Sequence, residues 1–483
     1  MTVVERVRLN DELSISRVVT GLWQIADMER DGRALDLDAA AAAMAEYVDA
    51  GLTTFDMADH YGSAELIAGR YLARSGRRDV QLLTKWVPAP GASSREVVRA
   101  AVQRSLDRLQ TERVDLLQFH AWSYADPSYL DCLFWLQEMV EEGLIGALGL
   151  TNFDTAHLGV VLHSGIRVAS NQVCHSVLDR RAAQGLTALC REHGVALLAF
   201  GALAGGLLTE RWLDQPATDV DDLATWSHMK YRRLIDAAGG WPAYQAVLRA
   251  VVEVARERGV SAANVACRAL LEEPGVAAVL VGARLGERAH VQDTLRVFEW
   301  SLGDAGRAAL AAAQAALEPV PGDCGDEYRR PPFLTAAGDL SHHLETLPAP
   351  YSTRPGAGGR TRVLSGTPWE AMAGYCRAVR VGDRILVSGT TASHRDRTVG
   401  GQDPASQAHF VIDKIEGAIQ SLGGTLEDVV RTRVFVRRIE DWEAVARVHG
   451  ARFRHVLPAN TLVEAKLVGA DPLVEIEAEA VVG

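Results

Sequence analysis

Three short apolar runs in the first quarter of the chain each end on a polar side chain able to handle a proton. TTFDMADHYG, residues 53–62, passes from β-branched positions into Asp56, Asp59, His60 and Tyr61. VQLLTK runs into Lys85, and VDLLQFH into His120. Each run has the length and composition of a buried strand and is followed by a stretch at helical period. Ser93 and Glu96 stand at capping-box spacing, and the helix they predict places Val98, Val102, Leu106 and Leu109 on one face. The alternation persists to about residue 295. It predicts a first strand at 18–22 and others ending near 58, 85, 120, 151, 173, 200 and 283, each with a helix after it. Eight strand–helix units over about 250 residues fit a parallel (β/α)8 TIM barrel. A doubly wound open sheet is the competing α/β arrangement, and the lack of a G-x-G-x-x-G turn after the first strand weakens it.

From 317 to 362 the pattern dissolves into prolines and glycines. The expected division is a barrel with its tail over 1–345, a linker over 346–362 and a second domain over 363–483. That second part opens with two strands around Val381-Gly382-Asp383. Asp403 and Pro404 then supply a helix N-cap and first turn, and further strand, helix and strand text follows. A ββαβαββ order predicts a small α+β sheet with its helices on one face. Arg431, Arg433 and Arg437 alternate along one of its strands, as on a solvated or interface face rather than a nucleic-acid patch.

Composition narrows the picture. A formal net charge of −12 argues against nucleic acid or anionic membrane as partners. No run is long and apolar enough to span a membrane, and the first residues lack the apolar segment of a secretory signal. Six scattered cysteines without a C-x-x-C pair read as reduced thiols of a cytoplasmic protein, and no metal is expected at the site.

In a parallel barrel the loops at the carboxyl ends of the strands converge on one mouth, so Asp56, Tyr61, Lys85 and His120 are expected together. A phenol is a poor acid at neutral pH until a neighbouring ammonium favours its phenolate, and a carboxylate beside the lysine orients that ammonium. An imidazole can hold a carbonyl oxygen by a hydrogen bond. Such a set protonates a carbonyl oxygen while hydride arrives at carbon, and no side chain donates hydride, so a nicotinamide is implied.

On the text GLWQ, FDMADHYG, the strand end at Lys85, LLQFHAW, GLTNF, NQV and AFGALAGGLL, residues 16–296 resemble the aldo-keto reductase family, TIM barrels that prefer NADPH. The resemblance implies Tyr61 as general acid, Lys85 as the partner that lowers its pKa, Asp56 as the lysine's partner and His120 as the orienting group. It implies Asn152 and Gln172 at the nicotinamide carboxamide, and Phe200 beside Gly201 where the family usually stacks a tyrosine. Its phosphate signature falls on VGARLGER without the usual proline, making Arg284, backed by Arg288, the candidate for the adenosine 2′-phosphate. Trp23, Trp86 and Trp122 flank three site strands and are candidates for an aromatic substrate pocket. The charged stretch around Cys324 reads locally as a solvated linker, whereas the family often closes its site with this tail.

On GYCRAVRVGDRILVSGTT, VFVRRIEDW and VEIEAEAVV, residues 366–483 resemble the RidA/YjgF family, with a RidA/chorismate-mutase-like fold. The resemblance implies a homotrimer with clefts between subunits, lined here by Tyr375, Gly389 and Glu475. Asn460 stands where active members carry an arginine after Pro-Ala, and an uncharged amide cannot make bidentate charge-assisted bonds to a carboxylate. The expected function is NADP(H)-dependent reduction or oxidation of a small carbonyl or alcohol, with the second domain serving assembly. The alternatives are a bifunctional enzyme that processes an imine or enamine, and an NADPH-binding assembly protein without turnover.

Overall fold

The computed structural model describes residues 2–30, 32–335 and 346–483. An antiparallel hairpin of β1 (Arg6–Arg8) and β2 (Ser14–Ser16) opens the chain. Eight parallel strands then close a barrel: β3 (Val18–Gly21), β4 (Thr54–Asp56), β5 (Gln81–Trp86), β6 (Val114–Phe119), β7 (Ile145–Thr151), β8 (Ser170–Cys174), β9 (Ala196–Phe200) and β10 (Val276–Gly282). Strand β10 pairs with both β9 and β3, so no sheet edge is left open.

Alternation along the strands decides which residues meet in the barrel. Val19, Leu83, Leu116, Ala147, Leu198 and Ala278 form one buried cluster with Leu9, Leu13 and Ile15 of the opening hairpin. The hairpin therefore plugs the end of the barrel opposite the site. Two residues beyond Leu83, Lys85 shares its inward phase, so Trp86 is turned to the helices and packs on Phe119 with ring centroids 5.5 Å apart. The helix Arg95–Leu109 buries Val98, Val102, Leu106 and Leu109 as expected, but its cap is Ser94, whose hydroxyl accepts from the Val97 N–H at 3.3 Å. Between β9 and β10 a polar excursion at 210–243 contains the helix Trp226–Ala237, capped by Thr225.

The second sheet has seven strands in the order β11-β12-β13-β14-β19-β17-β18. These are β11 (Thr353–Gly356), β12 (Arg360–Val363), β13 (Ala378–Val381), β14 (Arg384–Thr391), β17 (Val429–Val436), β18 (Ala459–Glu464) and β19 (Val474–Val481). A two-stranded ribbon of β15 (Ser393–His394) and β16 (Arg397–Thr398) projects from it. The hairpin β11–β12 corrects the expected linker, whose last residues belong to the sheet. Its composition misleads for a physical reason. Gly358 and Gly359 take φ of +68° and +71° in the turn, and Pro355 lies on the edge strand, where a missing N–H breaks no ladder.

The helices Pro404–Gln420 and Trp442–Phe453 pack together and, with Asp403 capping the first through the Ser406 N–H, cover one face of that sheet. The other face is open in the single chain: Leu386 and Val481 are exposed on it, beside Arg433 paired with Glu477. Helix Pro404–Gln420 also seats against the barrel helix Thr155–His163. At Gly417 a Cβ would fall 2.3 Å from the Ala125 carbonyl oxygen, so the close approach admits only glycine. Among the described residues no helix is long and apolar enough to cross a membrane.

Candidate active site

A cavity of about 890 Å³ opens at the carboxyl ends of the barrel strands. Asp56, Tyr61, Lys85 and His120 all line it. At its floor the Lys85 ammonium donates to Asp56 Oδ2 at 2.5 Å and to the Met57 carbonyl at 3.0 Å. The two side chains are 4% and 3% exposed, so the pair is held almost out of water. Burial pushes the Lys85 ammonium below its ordinary pKa, and the Asp56 carboxylate opposes that fall. Lys85 Nζ lies 4.9 Å from the Tyr61 ring centroid, and Trp23 meets Tyr61 edge-on at 4.8 Å. The indole is held in turn by Ser227, which accepts from Trp23 Nε1 at 3.0 Å and donates to Asp27 at 2.7 Å. His120 stands edge-on to Trp122 at 4.5 Å and to Tyr328 at 5.5 Å.

Asn152, Gln172, Phe200, Gly201, Arg284 and Arg288 also line the cavity, as do Trp23 and Trp122. Trp86 does not; its outward phase on β5 puts it in the core, which corrects its expected place in the pocket. Gln172 has a further duty. Its Nε2 donates to Asp56 Oδ1 at 2.7 Å and to Gln118 Oε1 at 2.8 Å, and Gln118 donates to the same Asp56 oxygen at 2.9 Å. The carboxylate thus has two amides on one oxygen and the ammonium on the other, so its rotamer is fixed.

Several site residues escaped sequence reasoning. Gln118 is wholly buried two residues before His120, and its alternation on β6 was the available signal. Lys230, on the helix Trp226–Ala237, donates to the Tyr328 hydroxyl and lies 4.9 Å from the Phe200 ring centroid. Tyr328 sits on the short helix Asp326–Arg329 of the tail. The tail therefore contributes Tyr328 to the cavity wall; residues 336–345, included in the expected tail, lie outside the described residues.

Polar groups line the cavity at both ends. At one end Asn152 Oδ1 is a buried acceptor with no hydrogen-bond partner among the described residues. At the other, Arg211, Arg284 and Arg288 line the wall. Burial, then the Arg211 and Arg284 guanidiniums, push His228 down to about 4, and Glu287 lies 3.8 Å from Arg284. Between the two ends Gly201, at φ +78°, lies under Tyr231, where a Cβ would come within 2.8 Å of the ring.

In the second domain, Gly389 and Glu475 are neighbours: a Cβ on Gly389 would fall 2.1 Å from Glu475 Oε1. Tyr375 lies near them, its ring 5.9 Å from the Arg377 guanidinium. Arg377 is itself engaged, donating to the Gly389 carbonyl at 2.9 Å and to Thr390 Oγ1 at 2.7 Å. Asn460 is not with them. It donates to Thr432 Oγ1 at 2.9 Å, and Thr432 pairs with Ala478, three residues along β19 from Glu475 and two strands across from Asn460. Strand spacing puts Asn460 roughly 14 Å from Glu475 within one chain.

Residues 17–314 match the sequence model of the Aldo/keto reductase family, and residues 366–482 match the one described as Endoribonuclease L-PSP. The chain belongs to the aldo/keto reductase family and is an oxidoreductase, its barrel fused to a YjgF/RidA-type domain. The pyridoxal reductase of Arabidopsis thaliana chloroplasts is 26% identical over 317 residues, which cover 60% of this chain and 80% of that protein. The 6-dehydroglucose reductase of Agrobacterium fabrum is 29% identical over 321 residues, covering 61% and 93%. The glycerol dehydrogenase structure from Gluconobacter oxydans superposes with a TM-score of 0.54 at 26% identity, covering 66% of this chain and 97% of that one. For the second domain, an uncharacterized protein of Streptomyces coelicolor is 40% identical over 120 residues, covering 25% of this chain and 90% of that protein.

Proposed function

We propose that the barrel moves hydride between NADP(H) and a small carbonyl or alcohol, with Tyr61 as the acid–base group on the reacting oxygen. The observation that carries this reading is the buried Asp56–Lys85 pair beneath Tyr61, in one cavity with the unpaired acceptor of Asn152. A bound nicotinamide supplies the hydride. Tyr61 gives its phenolic proton to the carbonyl oxygen, or takes it back from an alcohol. Lys85 favours the phenolate left behind, and Asp56 favours the ammonium form that burial opposes. His120 orients the same oxygen. Asn152 Oδ1 and Gln172 would hold the nicotinamide carboxamide, Gln172 through its oxygen because its Nε2 already donates to Asp56 and Gln118. Trp23, Trp122 and Tyr328 keep water from the reacting carbon.

The Arg284 guanidinium, with Arg288 beside it, takes the cofactor's adenosine 2′-phosphate. Charge-assisted bonds there are expected to make NADPH bind about 10- to 100-fold more tightly than NADH. Fluorescence titration of both cofactors, repeated with Arg284→Met, measures this. Equal affinities in the unsubstituted protein would remove the assignment.

For the second domain we propose assembly. Its open sheet face carries exposed Leu386 and Val481, and Asn460 offers an amide where carboxylate capture needs a guanidinium. Light scattering on the full chain is expected to give three times the chain mass, and ammonia release from a freshly generated amino-acid imine is expected to stay at background. A monomer overturns the first statement, and brisk release that depends on Glu475 overturns the second.

A further inference from the structure

One unbroken run of contacts leads from the second domain to the backbone of the proposed cofactor ligand. It starts at Asp413, buried on helix Pro404–Gln420. Asp413 accepts from Arg452 at 2.6 Å and meets His157 Nε2 of the barrel at 3.0 Å. The other ring nitrogen, Nδ1, lies 2.7 Å from Asp154, the residue that caps helix Thr155–His163. Burial opposes a charge on His157, but the two carboxylates outweigh it and hold the imidazolium, with a pKa pushed up to about 9. That ring lies flat against Tyr124, with centroids 3.5 Å apart and planes 7° from parallel. Arg329 of the tail lies 4.4 Å from the centroid of the same Tyr124 ring.

Arg329 is where the run reaches the site. Its Nη1 donates to the Asn152 carbonyl at 2.6 Å, while Nε and Nη2 both donate to the Ala121 carbonyl, at 2.8 and 2.6 Å. One guanidinium therefore holds the backbone just past β7 and just past β6, beside Asn152 and next to His120. The grip matters because Asn152 adopts φ +60°, a left-handed conformation that asparagine tolerates better than other non-glycine residues, and Arg329 holds the carbonyl of that turn. The fit from the tail side is equally close: a Cβ on Gly325 would fall 2.0 Å from the Asn152 carbonyl oxygen. A planar fork can bridge two carbonyls at fixed angles, which an ammonium cannot.

We propose that Arg329 is a positioning residue for the reductase site, and that the second domain, through Asp413 and His157, fixes Arg329 and so helps to shape the cofactor pocket. None of these residues touches reacting atoms. The proposal rests on the reading of Asn152 as a cofactor ligand, and it gives the fusion a role inside each chain as well as between chains.

The test uses full-length Arg329→Met, Arg329→Lys and Asp413→Asn with two readouts. The first is hydrogen exchange of the amides in 119–124 and 150–156 without cofactor; the second is NADPH affinity. Arg329→Met is expected to speed exchange in both segments and weaken NADPH about tenfold, and Asp413→Asn, in the other domain, about threefold. Arg329→Lys should fall between wild type and Arg329→Met, since it can hold one carbonyl but not both. Exchange and affinity within about twofold of wild type in both Arg329→Met and Asp413→Asn would overturn the proposal. Should Asp413→Asn fail to fold, the two Arg329 variants judge the positioning role and His157→Gln, which loses the contact to Asp413, judges the link to the second domain by the same limits. A wild-type protein that binds no NADPH overturns the cofactor reading, while the exchange data still judge the positioning role.

Discussion

Tyr61→Phe is expected to lower turnover about 10²- to 10⁴-fold, the range in which positioned acid–base groups contribute, while NADPH affinity stays within about twofold. The phenyl ring keeps the edge-on packing with Trp23, so the variant removes one proton and little else. Lys85→Met should act in the same direction for a different reason: the phenol stays, but the ammonium that favours its phenolate is gone, and Asp56 is left buried beside an apolar chain. Single-turnover measurement of NADPH oxidation, with cofactor affinity measured separately, divides the chemical step from binding. Near-full activity of Tyr61→Phe on carbonyl substrates would sink the acid–base assignment. Selective survival of imine reduction would point elsewhere: an iminium needs no proton on oxygen, so that pattern would favour an imine as the substrate.

The barrel was legible because buried parallel strands carry a strong signal, an apolar run that stops on a polar residue. Asp56, Lys85 and His120 each end such a run, and the closed barrel puts them around one cavity. What strand text does not display is the phase of each side chain. Lys85 and Trp86 are adjacent in sequence and face opposite ways, so the indole expected in the pocket lies in the core instead. Gln118 shows the same limit from the other side: a polar residue inside an apolar strand, meaningful only once Asp56 is known to lie within 2.9 Å. Contributions from outside the barrel repeat were hardest to see. Lys230 comes from a helix in a polar excursion, and Tyr328 from a stretch dense in charge and proline. In the second domain, proline and glycine suggested a linker where an edge hairpin forms, since local composition reports turns and not the sheet beside them.

The same tail supplies the other large expected effect. Arg181 is 1% exposed on its side chain, yet it is charged and paired on both sides, with Asp179 at 2.6 Å and Glu327 at 2.8 Å. It also donates to the Asp323 carbonyl at 2.9 Å. Asp179 belongs to the barrel loop, whereas Asp323 and Glu327 belong to the tail that carries Tyr328 and Arg329, so this guanidinium fastens one to the other. Burial alone would raise the Asp179 carboxyl, but Arg181 beside it holds the carboxyl below its ordinary range. The stabilisation from this pair is therefore present at neutral pH and lost only as acid takes the solution below the ordinary carboxylate range, near pH 4. Arg181→Met removes the cation and leaves Asp179 and Glu327 buried together, one like charge facing another. Breaking a buried pair from one side costs about 3–5 kcal/mol, far more than a surface pair returns. Urea unfolding followed by tryptophan fluorescence is expected to show a loss of that size in the transition of the barrel. Because Tyr328 adjoins Glu327, the folded fraction should also bind substrate more weakly. A loss below about 1 kcal/mol would mean that the triad is no stronger than an exposed pair, and that something other than Arg181 holds the tail over the site.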